Sequence, residues 1–101
     1  MKLGRVIGTA VSTVKAPGLN SYKLLLVRDF HGRTTEVPDR HADYYIAIDS
    51  VGAGIGEIVL VTQGSAARLF DESPLKAPVD AAIIAIMDAV RIGHEEIFNR
   101  N

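Results

Sequence analysis

The sequence has 101 residues, which is enough for one domain with a single hydrophobic core. Its 11 lysine and arginine residues nearly balance its 12 aspartate and glutamate residues, and this excludes a strong electrostatic attraction to nucleic acid or to an anionic membrane. There is no cysteine, which excludes disulfides, thiolate nucleophiles and thiolate metal ligands and fits a reducing compartment.

The apolar segments of the chain are short. The run that follows Met1 is soon interrupted by glycine, threonine and serine, which is not the pattern of a secretory signal. No apolar segment is long enough to span a bilayer as a helix. We therefore expect a cytosolic protein.

The first segment, residues 2–18, predicts a long β-strand. It is rich in β-branched residues, and small side chains such as Gly4, Gly8 and Ala10 alternate with other residues. Small side chains on one face suit a tightly curved barrel or the close approach of a neighbouring backbone. Three further strands are predicted at Ser21–Asp29, Tyr44–Val51 and Glu57–Gln63, with a polar excursion over residues 31–43.

One short helix is predicted over Gly64–Asp71, because Ser65 is a favourable N-cap before two alanines. The tail, Gly93–Asn101, is polar apart from Ile97 and Phe98. Such a tail is either disordered or a docking appendage.

The segment Pro78–Ile92 is ambiguous. Its alanines and the apolar stripe through Ile83 and Ile86 favour a helix. Read with a period of two, the same residues describe a strand that is apolar on both faces. Periodicity alone favours the helix.

The glycines in VGAGIGE, namely Gly52, Gly54 and Gly56, raise the question of a phosphate-binding loop. Their spacing is G-x-G-x-G, so the third comes one residue too early for the dinucleotide fingerprint. The loop also joins two predicted strands, whereas a dinucleotide loop leads into a helix whose N-terminus binds the pyrophosphate. We therefore predict no cofactor here, but a tight connection with positive φ angles and close backbone approach.

Several other polar residues raise the question of a metal site or a catalytic site. Two groups of residues could in principle bind a metal: His31, Asp39, His41 and Asp43 form the first, and His94–Glu96 form the second. Neither group has the spacing of metal ligands on a rigid element, so no metal site is predicted. No nucleophile-elbow sequence surrounds any serine, so no catalytic residue is predicted and the chain is not expected to be an enzyme. Three carboxylates within apolar segments are expected to bind backbone donors or an arginine: Asp49, Asp80 and Asp88.

Four segments, taken together, strongly resemble the bacterial microcompartment vertex protein family. These are the small pentameric shell proteins of carboxysomes and of ethanolamine- and propanediol-type organelles. The resemblance runs in family order from Met1 to about Val90, and departs from the family over residues 31–43 and 91–101. The four segments are KLGRVIGTAVSTVKAPGL, KLLLV, IAIDSVGAGIGEIVLVTQGSAAR and PVDAAIIAIMDAV.

The resemblance implies a mainly all-β fold, a small five-stranded OB-like β-barrel with one short helix and a short C-terminal tail. PVDAAIIAIMDAV is then a barrel strand, against its helical propensity, because strands with neighbours on both faces lose polar alternation. The expected organisation is a single barrel domain over residues 1–92 and a tail over residues 93–101.

The resemblance also implies a function. The chain is expected to form a homopentamer that caps the vertices of the polyhedral shell, next to hexameric shell proteins, within the cytoplasm. No cofactor, metal, nucleic acid or membrane is expected as a partner. Contacts between protomers or near the five-fold axis are expected at Gly52, Ala53, Gly54, Ile55, Gly56, Gly64, Ser65 and Arg68.

Two other classes of function remain open from the residues. An OB-like barrel suits a small-ligand or nucleic-acid binding module without catalytic activity. Single-strand binders, however, carry a basic groove with aromatic platforms, and this chain has a net charge of -1 with three tyrosines and three phenylalanines. A small enzyme subunit would need a catalytic constellation that the sequence does not contain.

Overall fold

The computed structural model describes residues 1–12, 22–32, 43–65, 67 and 80–100. The described residues form almost only strands. In chain order these are β1 (Lys2–Ala10), β2 (Lys23–Asp29), β3 (Tyr45–Asp49), β4 (Ile58–Gln63), β5 (Ala81–Ile86), β6 (Ala89–Ile92) and β7 (Glu95–Asn99).

Five of the strands close into a barrel in the order β1-β2-β3-β5-β4, with β4 pairing back to β1. Every neighbouring pair is antiparallel except β3 and β5, which are parallel. The predicted five-stranded barrel is therefore confirmed. None of the described residues belongs to a helix long and apolar enough to cross a membrane.

Strand β1 explains why small residues alternate along the first segment. A Cβ atom built on Gly4 would lie 2.4 Å from Cγ1 of Val27 and 3.2 Å from the carbonyl oxygen of Arg28. The register with β2 also shifts between Val6 and Gly8, and such bulges bend a strand around a barrel. The expected close approach of a neighbouring backbone is thus found at Gly4. Strand β1 ends at Ala10, and residues 13–18 of the predicted strand lie outside the described part of the chain.

The hydrophobic core fills the barrel. Each fully buried valine, leucine or isoleucine contributes about 1.5–3 kcal/mol relative to its exposed state, so this interior is the main source of stability. Its large members alternate along the strands with more exposed positions on β1 and β2, and are Val6, Leu25, Val27, Val59, Val61 and Ile83.

Within Pro78–Ile92, Ala81–Ile86 forms the barrel strand β5 and Ala89–Ile92 forms β6 outside the barrel. The helix favoured by periodicity is therefore wrong, and the barrel strand implied by the resemblance is right for Ala81–Ile86. Strand β5 lies between β3 and β4, and its first three residues are all buried. Because neighbours cover both faces, no polar residue marks one side of the strand. The loss of polar alternation made the helix look favourable.

The C-terminal tail is part of a β-hairpin. Strands β6 and β7 form a two-stranded antiparallel sheet, separate from the barrel sheet, and Gly93 takes a φ of +60° in the turn between them. The boundary predicted between residues 92 and 93 lies inside this hairpin, between its two strands, and it stays a prediction. Of the predicted helix, only Gly64, Ser65 and Ala67 are described, and they lie in a short 3₁₀ turn.

Candidate functional site

The glycine loop, residues 50–57 between β3 and β4, is organised around a buried carboxylate. Asp49 ends β3, and its Oδ1 accepts hydrogen bonds of 3.1 Å from the N–H groups of Val51 and Gly52. Its Oδ2 accepts a bond of 2.9 Å from the N–H of Ala53. The structural role predicted for Asp49 is confirmed, because the side chain satisfies three consecutive backbone donors.

Two glycines of the loop take conformations that other residues rarely adopt. Gly52 has a φ of +83° and Gly56 a φ of +91°. A side chain at either position would be strained whatever the surrounding space. The tight connection predicted from the glycine spacing is therefore confirmed at these two positions.

Glu57 stabilises the second half of the loop through hydrogen bonds. Its Oε1 accepts a hydrogen bond of 2.7 Å from the N–H of Gly54, and its own N–H donates to the carbonyl oxygen of Gly54 at 3.2 Å. The N–H of Gly56 donates to the carbonyl oxygen of Val6 on β1 at 2.8 Å. These donors are engaged within the fold, together with the three held by Asp49, so they do not converge on an outside anion as in a phosphate cradle.

The outer surface of the loop is small and apolar. Ile55 is 68% exposed at its tip, and Gly52 and Gly56 are exposed on either side, whereas Ala53 is buried beneath them. The exposed side chains at this surface, from Gly52 to Gly56, provide no polar group to bind a polar ligand. It suits close contact with another apolar surface.

The structure separates the predicted contact residues into two groups. Gly52 to Gly56 end one residue before β4 begins, while Gly64 and Ser65 immediately follow it. Because β4 has six residues at about 3.3 Å each, the two groups lie about 20 Å apart at opposite ends of that strand. The second group is fixed by the N–H of Gly64, which donates to the carbonyl oxygen of Asp80 at 2.8 Å. Arg68 lies outside the described residues.

Three charged residues at the glycine loop were missed by sequence reasoning. Arg5 donates from Nη1 to the carbonyl oxygen of Gly56 at 2.9 Å. Glu57 pairs through Oε2 with Nη2 of Arg100 at 2.9 Å, and Nη1 of Arg100 lies 3.6 Å from Oδ1 of Asp88. Asp88 thus pairs with an arginine as expected, but with Arg100, which was not among the arginines named from the sequence as available partners. No local signal could reveal these pairs, because the partners are far apart in the sequence.

A tyrosine at the other end of the barrel has an unusual environment. The Tyr45 hydroxyl is buried, and no described residue bonds to it. Burial, and secondarily the negative charge of Asp29, raise the pKa of Tyr45 to about 12. The ammonium of Lys2 lies 4.3 Å from the centre of the Tyr45 ring and 2.9 Å from Oδ1 of Asp29. Burial and the charge of Asp29 favour the neutral phenol.

A shallow cleft lies next to this tyrosine, and it bears on the ligand-binding alternative. None of the described residues that line it is basic, so the cleft does not have the charge that a nucleic-acid strand requires. The lining residues are Tyr44, Tyr45, Ile46, Gln63, Asp80 and Ala81.

The metal candidates do not assemble within the described ranges, where no three histidine, aspartate or glutamate side chains gather around one point. Asp39 and His41 lie outside those ranges. In the His94–Glu96 group, Oε1 of Glu96 is bound by Nδ2 of Asn99 at 2.8 Å and by Nη2 of Arg91 at 3.4 Å. Glu96 thus stabilises the hairpin by binding side chains of β6 and β7.

Comparison with known proteins points to one family. The model of the family described as ethanolamine utilisation protein EutN/carboxysome matches residues 1–88. The carboxysome shell vertex protein CcmL of Synechocystis sp. is 41% identical over 102 residues, covering 99% of this chain and 95% of that protein.

Two solved structures share the fold. CcmL of Gloeobacter violaceus superposes with a TM-score of 0.83 at 38% identity, covering 99% of this chain and 98% of that one. The GrpN pentameric microcompartment shell protein of Rhodospirillum rubrum superposes with a TM-score of 0.73 at 41% identity, covering 91% of this chain and 100% of that one. Each likeness covers more than nine tenths of this chain.

Proposed function

The chain belongs to the family of the ethanolamine utilisation protein EutN and its carboxysome relatives, and from this premise we propose that it is a shell vertex protein of a bacterial microcompartment. It assembles into a homopentamer that caps the vertices of the polyhedral shell within the cytoplasm. The observation that carries the proposal is the likeness of the whole barrel to a pentameric shell protein at 41% identity.

The mechanism is geometric. A flat layer of six-fold tiles cannot close on itself, so a closed polyhedral shell requires five-fold units at its vertices. A protomer that contacts its neighbour through two different surfaces forms a closed ring if the rotation between copies closes. The edges of that ring meet hexameric shell proteins, which are the proposed outer partners.

The contact between protomers is proposed at the two ends of β4. A closed ring of identical chains uses heterologous contacts, in which one surface of a protomer meets a different surface of the next. The glycine loop and the turn at Gly64 and Ser65 lie at opposite ends of one strand, and this separation supports their use as two such surfaces. The proposed contact set is Gly52, Gly54, Ile55, Gly56, Gly64, Ser65 and Arg68. Ala53, which was also expected there, is only 1% exposed in the protomer and supports the loop from beneath.

The proposal includes no catalytic role. Family membership makes the chain a structural shell protein. The loop that most resembled a cofactor site directs its N–H groups to Asp49, Glu57 and Val6, which supports a purely structural use of the glycines.

Sedimentation velocity of the purified chain tests the proposed function. We expect one discrete species at five times the chain mass of 10.9 kDa. A stable monomer across the concentration range would contradict the pentamer and favour the ligand-binding alternative.

A substitution then tests the contact surface. Gly54 does not have a positive φ, and among the described residues a Cβ added there meets only Oε1 of Glu57 at 3.3 Å, so Gly54→Leu should leave the barrel folded. We expect Gly54→Leu to yield a soluble monomer with the circular dichroism spectrum of the wild type. An intact ring would overturn the assignment of this loop to the contact.

A further inference from the structure

The C-terminal hairpin and the glycine loop are connected by two separate sets of contacts. The hairpin, β6 and β7, lies beyond residues 1–88 that match the family model, and among the described strands neither β6 nor β7 pairs with the barrel. An isolated two-stranded hairpin is marginally stable in water. Its side-chain contacts to the barrel therefore determine where it lies.

The first connection is ionic. Arg100, which directly follows β7, pairs through Nη2 with Oε2 of Glu57 at 2.9 Å, while Oε1 of Glu57 holds the N–H of Gly54 at 2.7 Å. The backbone N–H of Arg100 donates to the carbonyl oxygen of Asp88 at 2.8 Å, which closes the base of the hairpin. The same glutamate thus binds the glycine loop with one oxygen and the hairpin with the other.

The second connection is aromatic. Phe98 of β7 meets the buried ring of Phe30 edge-on, with ring centroids 6.1 Å apart. The guanidinium of Arg5 lies 5.5 Å from the Phe30 ring and donates to the carbonyl oxygen of Gly56. This route reaches the far end of the glycine loop, so the hairpin is connected to both Gly54 and Gly56.

From these contacts we infer that the hairpin is a brace that holds the glycine loop in the conformation it presents to the neighbouring protomer, with Arg100 as the positioning residue. The inference rests on the proposed contact between protomers. Bound this way, Glu57 keeps its acceptor oriented towards Gly54, because its second oxygen is held by the ion pair with Arg100. Without Arg100, the Glu57 side chain can turn to solvent, and the loop then loses the hydrogen bond from the N–H of Gly54 to Glu57.

The test compares two arginines of the same hairpin. Arg100→Ala removes the ion pair with Glu57 and the weaker one with the exposed Asp88, whereas Arg91→Ala, the control, removes a pair with Glu96 that stays within the hairpin. Hydrogen exchange of the Gly54 amide reports the loop, and sedimentation over a dilution series reports the ring. We expect Arg100→Ala to accelerate the Gly54 exchange and to raise the concentration at which the ring dissociates, each by about two- to six-fold, as for a partly exposed ion pair.

The variant Glu57→Gln separates the charge from the hydrogen bond. Its amide oxygen still accepts from Gly54 but no longer carries the charge that Arg100 binds. In the Glu57→Gln background, Arg100→Ala should have no further effect on either measurement. If Arg100→Ala acted only by destabilising the hairpin, its effect in Glu57→Gln would be as large as in the wild type. Full additivity would overturn the brace.

The remaining outcomes are distinct. Unchanged Gly54 exchange in Arg100→Ala overturns the brace whatever the oligomer. Faster exchange with an unchanged ring overturns the link between the brace and the contact. A wild-type chain that never forms a ring overturns the proposed function itself, and the exchange experiment still decides whether Arg100 positions the loop.

Discussion

Oδ2 of Asp49 accepts a hydrogen bond of 2.9 Å from the N–H of Ala53, four residues further along the chain, and both residues are buried. Together with the bonds to Val51 and Gly52, this makes one carboxylate the centre of the glycine loop. The relationship gives the loop a defined shape before any neighbour binds it.

Asp49→Asn should destabilise the fold. The asparagine amide can accept at only one of its two positions, so its NH₂ group faces a backbone donor and leaves a buried N–H unsatisfied. We expect the free energy of unfolding to fall by about 1–3 kcal/mol, measured by urea denaturation at one fixed protein concentration. Asp43→Asn, at an exposed position before β3, is the control and should change the free energy little.

Gly4 and Gly8 on β1 should respond differently to the same substitution. A methyl group on Gly4 would lie 2.4 Å from Val27, a fully buried side chain, whereas on Gly8 it would lie 3.4 Å from Leu26. We expect Gly4→Ala to cost about 1–3 kcal/mol through overpacking. Gly8→Ala should cost less than about 0.5 kcal/mol or stabilise slightly, because alanine reduces the freedom of the unfolded chain. Equal losses in thermal or urea unfolding would contradict the close approach at Gly4.

Tyr45 should make the fold sensitive to alkali. Its pKa is raised from 10.0 to about 12, so its stabilising contribution is complete below pH 10 and is lost as the pH rises to about 12. Because the ring is only half-buried, we expect solvent to limit the loss to about 1 kcal/mol. The difference in unfolding free energy between the wild type and Tyr45→Phe should therefore change across this window.

At neutral pH, Tyr45→Phe should be neutral or slightly stabilising, because the buried hydroxyl bonds to none of the described residues. The control is Tyr44→Phe, at an exposed tyrosine of the same segment. A difference between the wild type and Tyr45→Phe that stays constant from pH 9 to pH 12 would contradict the assigned environment.

Two isoleucines of nearly equal exposure test whether the glycine loop is the contact between protomers. Ile55, at the tip of the glycine loop, is 68% exposed, and Ile92, on the hairpin, is 67% exposed. We expect Ile55→Glu to shift the chain from pentamer to monomer at micromolar concentration, because a charge in an apolar contact is costly to desolvate. Ile92→Glu should leave the ring intact in the same sedimentation experiment. Identical behaviour of the two variants would rule out the glycine loop as the specific contact.

Three strands could be predicted from the sequence with boundaries close to those observed, whereas the first, predicted over residues 2–18, begins at Lys2 but ends at Ala10. Strands β2, β3 and β4 begin one or two residues after the predicted starts, at Lys23, Tyr45 and Ile58. The glycine loop between β3 and β4 was also predicted, because β-branched runs and glycine turns are local signals. The strand β5 was not predicted from periodicity, since burial on both faces leaves no polar alternation to detect.

The sequence by itself determined the strand-rich character of the chain, the position of the glycine loop and the family to which it belongs, because these depend on short-range patterns and on motif order. Only the tertiary structure decided that Gly4 must be glycine, that Glu57 meets Arg100, and that the tail returns as a hairpin beside Phe30. These relationships join residues far apart in the chain. Barrel closure creates them, and no local pattern of residues encodes which distant side chains will meet.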